Sequence, residues 1–389
     1  MTRAPTSRVR PPHRGVATRT RTRASRASSP SSSPSRVAYV LERAGRVDSL
    51  RARVDDEFAR EPCANAHARI AIRAIGLNFA DVFCALGLYD ASPRVAYVPG
   101  LEFAGVVESV GGDCGALAIG DRVMGATRFG AFATRIDVKA SQCRVIPASW
   151  SFEQGAGFMV QGLTSYYGLR ALGDVRRGKT VVVHSAAGGC GLMSLGICQR
   201  VGANAIAVVG SANKVATVRE RFPELKPEAI IVRDRKRFRE QLKAACDAVG
   251  AVEGADIVFD ATLGDFFQGG WDNLARGGRY VVYGAADMTP SGDSIGVIGW
   301  IKLAWKFLIR RKVDPLSLPG ENKGILGFNL IWQFDKADEL ARLLAELDEL
   351  NLDPPKVGAT FAFQDLPDAL RLFQTGQTTG KVVVRVDEP

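Results

Sequence analysis

Hydrophobic and polar positions follow two rhythms along this chain. Between residues 37 and 147 short runs alternate or stay apolar, as in Val37–Leu41, Ala68–Ile75 and Gly105–Val110. Pairs such as Gly111-Gly112 and Gly120-Asp121 punctuate them, and period-two runs between turn residues predict a small strand-rich domain. From about Phe158 the rhythm changes. Thr180–His184 is a continuous apolar run, a glycine-rich loop follows, and a helical stretch extends to Val201. Ala205–Val209, Ile230–Val232, Ile257–Asp260 and Tyr280–Tyr283 continue the series of buried strands, with a helix predicted over Asn213–Phe222. Strands covered on both faces have no polar side to show, so this pattern predicts a doubly wound parallel sheet. Leu340, Leu343, Leu344, Leu347 and Leu350 share one face of a further helix over Glu339–Asn351. Two closing strands, Thr360–Phe363 and Lys381–Val386, are placed to return to the first domain. There is no internal repeat and no apolar stretch of the ~18 residues that a spanning helix needs.

Composition alters this picture at one end. The 389 residues carry a formal net charge of +10, which by itself raises nucleic acid as a partner. Residues 1–36 hold nine arginines, no lysine and no acid, leaving 42 basic against 41 acidic side chains in the remainder. The body is therefore nearly neutral, and no nucleic-acid partner is expected. Those 36 residues also contain eight Ser and five Thr. Arginine-rich, hydroxyl-rich, acid-poor composition without a following apolar stretch fits an organellar transit peptide, with plastid favoured over mitochondrion. The seven cysteines form no Cys-x-x-Cys pair, and the odd count argues against a disulfide framework. Only three histidines occur, with His67 in a loop-like stretch and His184 ending an apolar run. No spacing resembles a zinc site, and none is expected.

The sharpest chemical signal is Val183-His184-Ser185-Ala186-Ala187-Gly188-Gly189-Cys190-Gly191. A strand enters, a glycine turn follows and a helix leaves, which lets backbone N–H groups and a helix N-terminus face a pyrophosphate. Ala187, Gly188, Gly189 and Gly191 are the candidate cradle. About twenty residues on, an NAD enzyme places an acid on the ribose 2′-hydroxyl. This chain instead reads Gly210-Ser211-Ala212-Asn213-Lys214. Ser211 and Lys214 suit the 2′-phosphate of NADPH, through charge-assisted hydrogen bonds; a helix-capping serine beside a solvated lysine is the plainer alternative.

Three segments then resemble a known family. Gly76-Leu77-Asn78-Phe79-Ala80-Asp81-Val82, Pro99-Gly100-Leu101-Glu102-Phe103-Ala104-Gly105 and the Ala-Ala-Gly-Gly-Cys-Gly loop are similar to the zinc-free quinone oxidoreductases of the medium-chain dehydrogenase/reductase superfamily. The likeness spans residues ~37–389. Glu321-Asn322-Lys323-Gly324-Ile325-Leu326-Gly327-Phe328-Asn329-Leu330 is similar to the branch of vesicle amine transport protein homologues. The resemblance implies a GroES-like β-rich catalytic domain (37–157 and 333–389) and a doubly wound parallel Rossmann domain (158–332). It implies NADPH as cofactor, a quinone or activated enone as substrate, and a homodimer joined near Gly327–Leu330. Asn78, Tyr89 and Thr164 would line the reacting centre, while Gly284, Asn329 and Lys381 would serve the cofactor. For Lys381 a charge on an exposed strand is an equal alternative. Zinc dehydrogenases of the superfamily carry Cys where this chain has Asn78 and His where it has Leu101, so the resemblance implies chemistry without metal. Two departures stand out: Phe83 and Val232 occupy positions where the family commonly has tyrosine, and Arg233 follows the second.

Ser294–Val313 carries Trp300, Trp305 and Phe307 beside five cations from Lys302 to Lys312. That mixture suits an amphipathic helix lying on a membrane surface. A lid or dimer-contact helix packed on the body is the alternative. The functional alternative to the reductase is accordingly an NADPH-binding, membrane- or lipid-associated protein with weak activity.

Overall fold

The computed structural model describes residues 35–58, 60–290 and 292–387. The segment read as a transit peptide lies outside the described residues, apart from Ser35 and Arg36. A two-stranded antiparallel ribbon opens the fold, β1 (Arg36–Leu41) against β2 (Leu50–Asp55). The first large sheet is built from β3 (His67–Gly76), β4 (Glu102–Val110), β5 (Arg122–Ala126), β6 (Arg135–Lys139) and β7 (Cys143–Val145). The second comprises β8 (Thr180–Val183), β9 (Asn204–Val209), β10 (Ile230–Val232), β11 (Ala255–Asp260), β12 (Leu274–Val282) and β13 (Gly324–Gly327). The chain ends on β14 (Val357–Ala362) and β15 (Lys381–Arg385), which rejoin the first sheet.

The second sheet is parallel throughout, in the order β10-β9-β8-β11-β12-β13. Every residue of the Thr-Val-Val-Val strand β8 is buried, as a central strand covered by helices on both faces requires. Chain direction in the order reverses between β8 and β11, and ligands of such sheets collect there, outside the carboxyl ends of the strands. In the first sheet β3 pairs antiparallel with β4, β6 and β15, so the last strand is held against one of the first.

The structure refines several expected boundaries. His67 opens β3 instead of lying in a loop. The strand expected over Tyr280–Tyr283 begins at Leu274, because β11 and β13 pair along both its edges. The helix expected over Asn213–Phe222 starts as a tighter turn, Ala212–Lys214, before Val215–Arg221.

One hydrophobic cluster spans both sheets. Leu101 and Ala104 from the first meet Val181 and Phe259 from the second through the helix Met159–Tyr166, all of whose residues are buried. The helix Ala337–Glu349 packs on this connector with Leu343, Leu344 and Leu347, and Tyr166 Oη donates to Glu346 Oε2 at 2.9 Å. The helix Val297–Ile309 behaves differently: none of its residues is buried, and Val297, Ile298, Trp300, Ile301 and Trp305 are at least half exposed.

Leu347 has no solvent exposure. Leu347→Ala should therefore leave a cavity and cost about 2–5 kcal/mol. Urea unfolding should show a lower midpoint with an unchanged slope.

Candidate active site

The glycine loop lies at the carboxyl end of β8, where the sheet order turns. Ser185 has φ 52°, a left-handed conformation that turns the chain sharply, and Gly188 N–H donates to Ser185 O at 2.8 Å. A Cβ at Gly191 would stand 2.3 Å from Ser185 O, so only glycine lets the new helix start so close to the strand end. The helix Gly189–Val201 then presents its first N–H groups, which have no partner within a helix, outward from the loop. Ser165 Oγ and Ser194 Oγ both donate to Cys190 O, at 3.0 and 2.7 Å, and pin the turn from behind. This is a cradle that fits a pyrophosphate, made from Ala187, Gly188, Gly189 and Gly191 as the spacing predicts.

The cradle is tied to the other domain. Gly380 N–H donates to Ala187 O at 2.8 Å, and Gly188 and Gly380 form a parallel bridge. The next residue, Lys381, is only 1% exposed, which rules out the exposed-strand alternative. Its Nζ donates to Asn78 Oδ1 at 3.0 Å and to Glu102 Oε1. Asn78 Nδ2 donates to the same Glu102 oxygen at 2.9 Å and to Gly76 O at 3.3 Å, while Glu102 Oε2 accepts Val160 N–H at 3.0 Å. The Gln161 amide, with its nitrogen donating to Gly157 O at 2.9 Å, brings its oxygen to 3.2 Å from Lys381 Nζ. The same side chain fills the space over Gly189, where a Cβ would come within 1.8 Å of it.

Asp81 completes this buried group. Its Oδ2 accepts Asn78 N–H at 2.7 Å, and its Oδ1 has no hydrogen-bond partner among the described residues. Burial pushes the Asp81 carboxyl up to about 7, against the opposing pull of Asn78 N–H and the Lys381 ammonium. Across the cleft Tyr89 Oη donates to Asn329 Oδ1 at 2.9 Å, joining the first domain to the loop after β13. Burial raises the Tyr89 phenol well above its ordinary range, with the Asn329 bond opposing. Thr164 lies buried on the connector helix, one turn on from Gln161. Gly284 follows β12, where a Cβ would sit 2.9 Å from Ala261 O.

Ser211 and Lys214 lie beyond β9, apart from the Asn78 group. Ser211 Oγ donates to Asn213 Oδ1 at 2.5 Å, in place of a helix cap, and Lys214 Nζ donates to Gly376 O at 2.5 Å. Burial and the neighbouring Arg233 lower the Lys214 ammonium. Arg233, at the end of β10, lays its guanidinium 4.3 Å from the Phe266 ring centre, and its Nη1 is buried without a partner among the described residues. Its Nη2 comes within 3.8 Å of where a Gly210 Cβ would be. Two cations therefore face the position where an NAD enzyme needs an acid. The structure thus adds Glu102, Gln161, Asp81 and Arg233 to the candidates. Their signal in the sequence was a charged or amide residue opening or ending an apolar run, which is ambiguous until the partner strand is known. Phe83 packs edge-on to Phe79 at 5.4 Å and puts no hydroxyl near the cleft.

A glycine cradle on a parallel sheet, closed by a β-rich domain that sends polar side chains into the shared cleft, defines a two-domain dinucleotide-dependent oxidoreductase. The chain belongs to the medium-chain dehydrogenase/reductase superfamily. Residues 64–167 match the alcohol dehydrogenase GroES-like domain and residues 200–384 the zinc-binding dehydrogenase family. The human synaptic vesicle membrane protein VAT-1 homolog is 31% identical over 318 residues, 80% of this chain and 77% of that protein. Its mouse homolog-like relative is 28% identical over 358 residues, 90% of this chain and 81% of that protein. Among solved structures, a mycobacterial protein complexed with NADPH superposes with a TM-score of 0.73 at 25% identity, covering 90% of this chain and 99% of that one. A Pseudomonas syringae quinone oxidoreductase gives 0.71 at 25% identity, with the same coverage.

The second family's name raises a zinc ion, and the residues at the cleft do not fit one. Among the described residues no three His, Cys, Asp or Glu side chains gather as a metal would need. Glu102 spends both oxygens on protein donors, and Leu101 beside it is buried and apolar.

The raised Asp81 carboxyl sets a pH dependence. Its proton is held more tightly in the folded chain than at the ordinary value of 3.8, so its favourable contribution is complete below about pH 4, declines as pH rises and is gone above about 7. The unfolding midpoint of the wild type should fall over that window by more than that of Asp81→Asn, which carries no titrating proton.

Proposed function

We propose that this chain is an NADPH-dependent reductase that transfers a hydride to a quinone or an activated enone without a metal ion. The observation that carries the cofactor is the Lys214 and Arg233 pair beside Gly210 and Ser211, with no carboxylate at that point. The relatives support the class: one neighbour's title gives NADPH and another's gives quinone oxidoreductase. In this reading Ala187, Gly188, Gly189 and Gly191 hold the pyrophosphate, and Ser211, Lys214 and Arg233 hold the 2′-phosphate. Gly284 and Asn329, after β12 and β13, flank the nicotinamide half. Bound NADPH supplies the hydride.

The residues of the chain supply position and polarity. Asn78, Tyr89 and Thr164 border the space for substrate between the domains, and a quinone or enone oxygen gains charge there as the hydride arrives. The buried Tyr89 phenol keeps its proton at Oη throughout neutral pH, so it is a hydrogen-bond donor to that oxygen once released from Asn329. The apolar walls keep water away, which strengthens each such bond.

Arg233→Ala and Lys214→Glu should each weaken NADPH binding about tenfold or more, since a hydrogen bond to a charged group contributes about 1.5–3 kcal/mol. NADH binding should change little. Fluorescence titration of both cofactors reads this directly, and equal losses for the two would reject the 2′-phosphate role.

A second reading rests on the helix Val297–Ile309, which buries nothing and carries Lys302 and Lys306 with Arg310 just beyond its end. We propose peripheral contact with an anionic membrane surface through it, no helix among the described residues being long and apolar enough to cross one. The free edge of β13 is the proposed homodimer seam, and residues 1–36 the proposed plastid address. Full-length protein should sediment with anionic vesicles, and the double variant Trp300→Ala with Trp305→Ala should not. A wild type that stays in the supernatant removes the membrane reading, and light scattering of the same samples tests the dimer.

A further inference from the structure

Lys381 and Glu102 are a pair of opposite charges with no side-chain exposure at all. An ammonium so placed must spend its donors on protein, because water cannot reach it. Its three acceptors come from three different elements: Asn78 from the turn before the helix Phe79–Leu86, Glu102 from β4, and Gln161 from the connector helix. Two of these partners lead on to functional surfaces. Asn78 is held at both ends of its amide, by Lys381 on the oxygen and by Glu102 and Gly76 on the nitrogen, so it cannot rotate at the cleft. Gln161 lies over Gly189 of the phosphate cradle. The backbone immediately before Lys381 grips the same cradle through Gly380 N–H and Ala187 O.

The family name calls for a cation at this cleft, and the only charge balancing Glu102 in its described hydrogen bonds is an ammonium. A divalent ion added here would meet a like charge and a carboxylate with no free oxygen. We propose that Lys381 is the resident cation of the site: a positioning residue that excludes zinc and locks Asn78 and the phosphate cradle into one arrangement. The inference rests on the reductase reading for its effect on the cofactor, and on geometry alone for the exclusion of zinc.

The test uses the full chain. Wild-type protein incubated with zinc and desalted should retain none by elemental analysis. Lys381→Met leaves Glu102 buried and unpaired and should lower the unfolding midpoint strongly. The double variant Lys381→Met with Glu102→Gln removes both charges and should recover most of that stability. In the double variant NADPH should nevertheless bind about tenfold or more weakly by fluorescence, because the cradle and Asn78 have lost their common anchor. Lys381→Arg should recover part of the affinity. Zinc retained in a fixed ratio to the wild-type chain overturns the exclusion. A double variant that binds NADPH as wild type does, with unchanged kcat and KM, overturns the positioning role. A wild type that binds no NADPH sinks the reductase reading instead, and the zinc measurement still decides the cation.

Discussion

A charge removed from water is tolerated only where other groups replace its hydration, and in this protein that requirement converges on one ammonium. Lys381 must be met by Asn78, Glu102 and Gln161 together, and those three residues come from segments far apart in the chain. The first domain, the connector helix and the last strand are therefore held in one arrangement by a condition that none of them meets alone. Such pairs add little net stability relative to apolar packing, but leaving one partner unmatched is costly. That asymmetry makes the cluster a registration device, and the phosphate cradle is registered with it through Gly380.

The consequence for chemistry is a cleft with divided labour. One side is a rigid helix N-terminus made for an anion, with a glycine where any side chain would block the strand end. The other holds an amide fixed at both ends and a buried phenol, neither of which changes charge near neutral pH. Groups of this kind orient and polarise without supplying electrons. A bound dinucleotide supplies the hydride, which explains why a superfamily fold with a zinc-binding name can work here from a site whose donors are already spent.

Evolutionary kinship and physical argument meet at different depths. The relatives settle superfamily and fold across four-fifths or more of the chain. They do not explain why Val232 stands where a tyrosine is common. The structure does: Arg233, one residue later, leans over Phe266 and reaches back toward Gly210, so a guanidinium replaces the missing hydroxyl from the same strand end. The exposed helix Val297–Ile309 is the opposite case, a sequence feature whose apolar side finds no partner within the described chain.

Much was legible in the residues alone. Periodicity reveals β8, β9 and β11 because a strand buried on both faces must be apolar at every position. The glycine loop reveals the cradle because only residues without Cβ permit that turn, and the arginine-rich start separates from a neutral body by simple counting. What the residues could not decide was every fact that depends on which distant segments meet. Lys381 at the head of a valine run reads equally well as a solvated strand end or as a buried cation. Only the antiparallel pairing of β15 with β3 brings it to Asn78 and Glu102. Glu102 opening an apolar strand, and Arg233 ending one, carry the same ambiguity. Local patterning specifies which faces are buried; the partner of a buried charge is set by tertiary contact, because electrostatic need has no period along the chain.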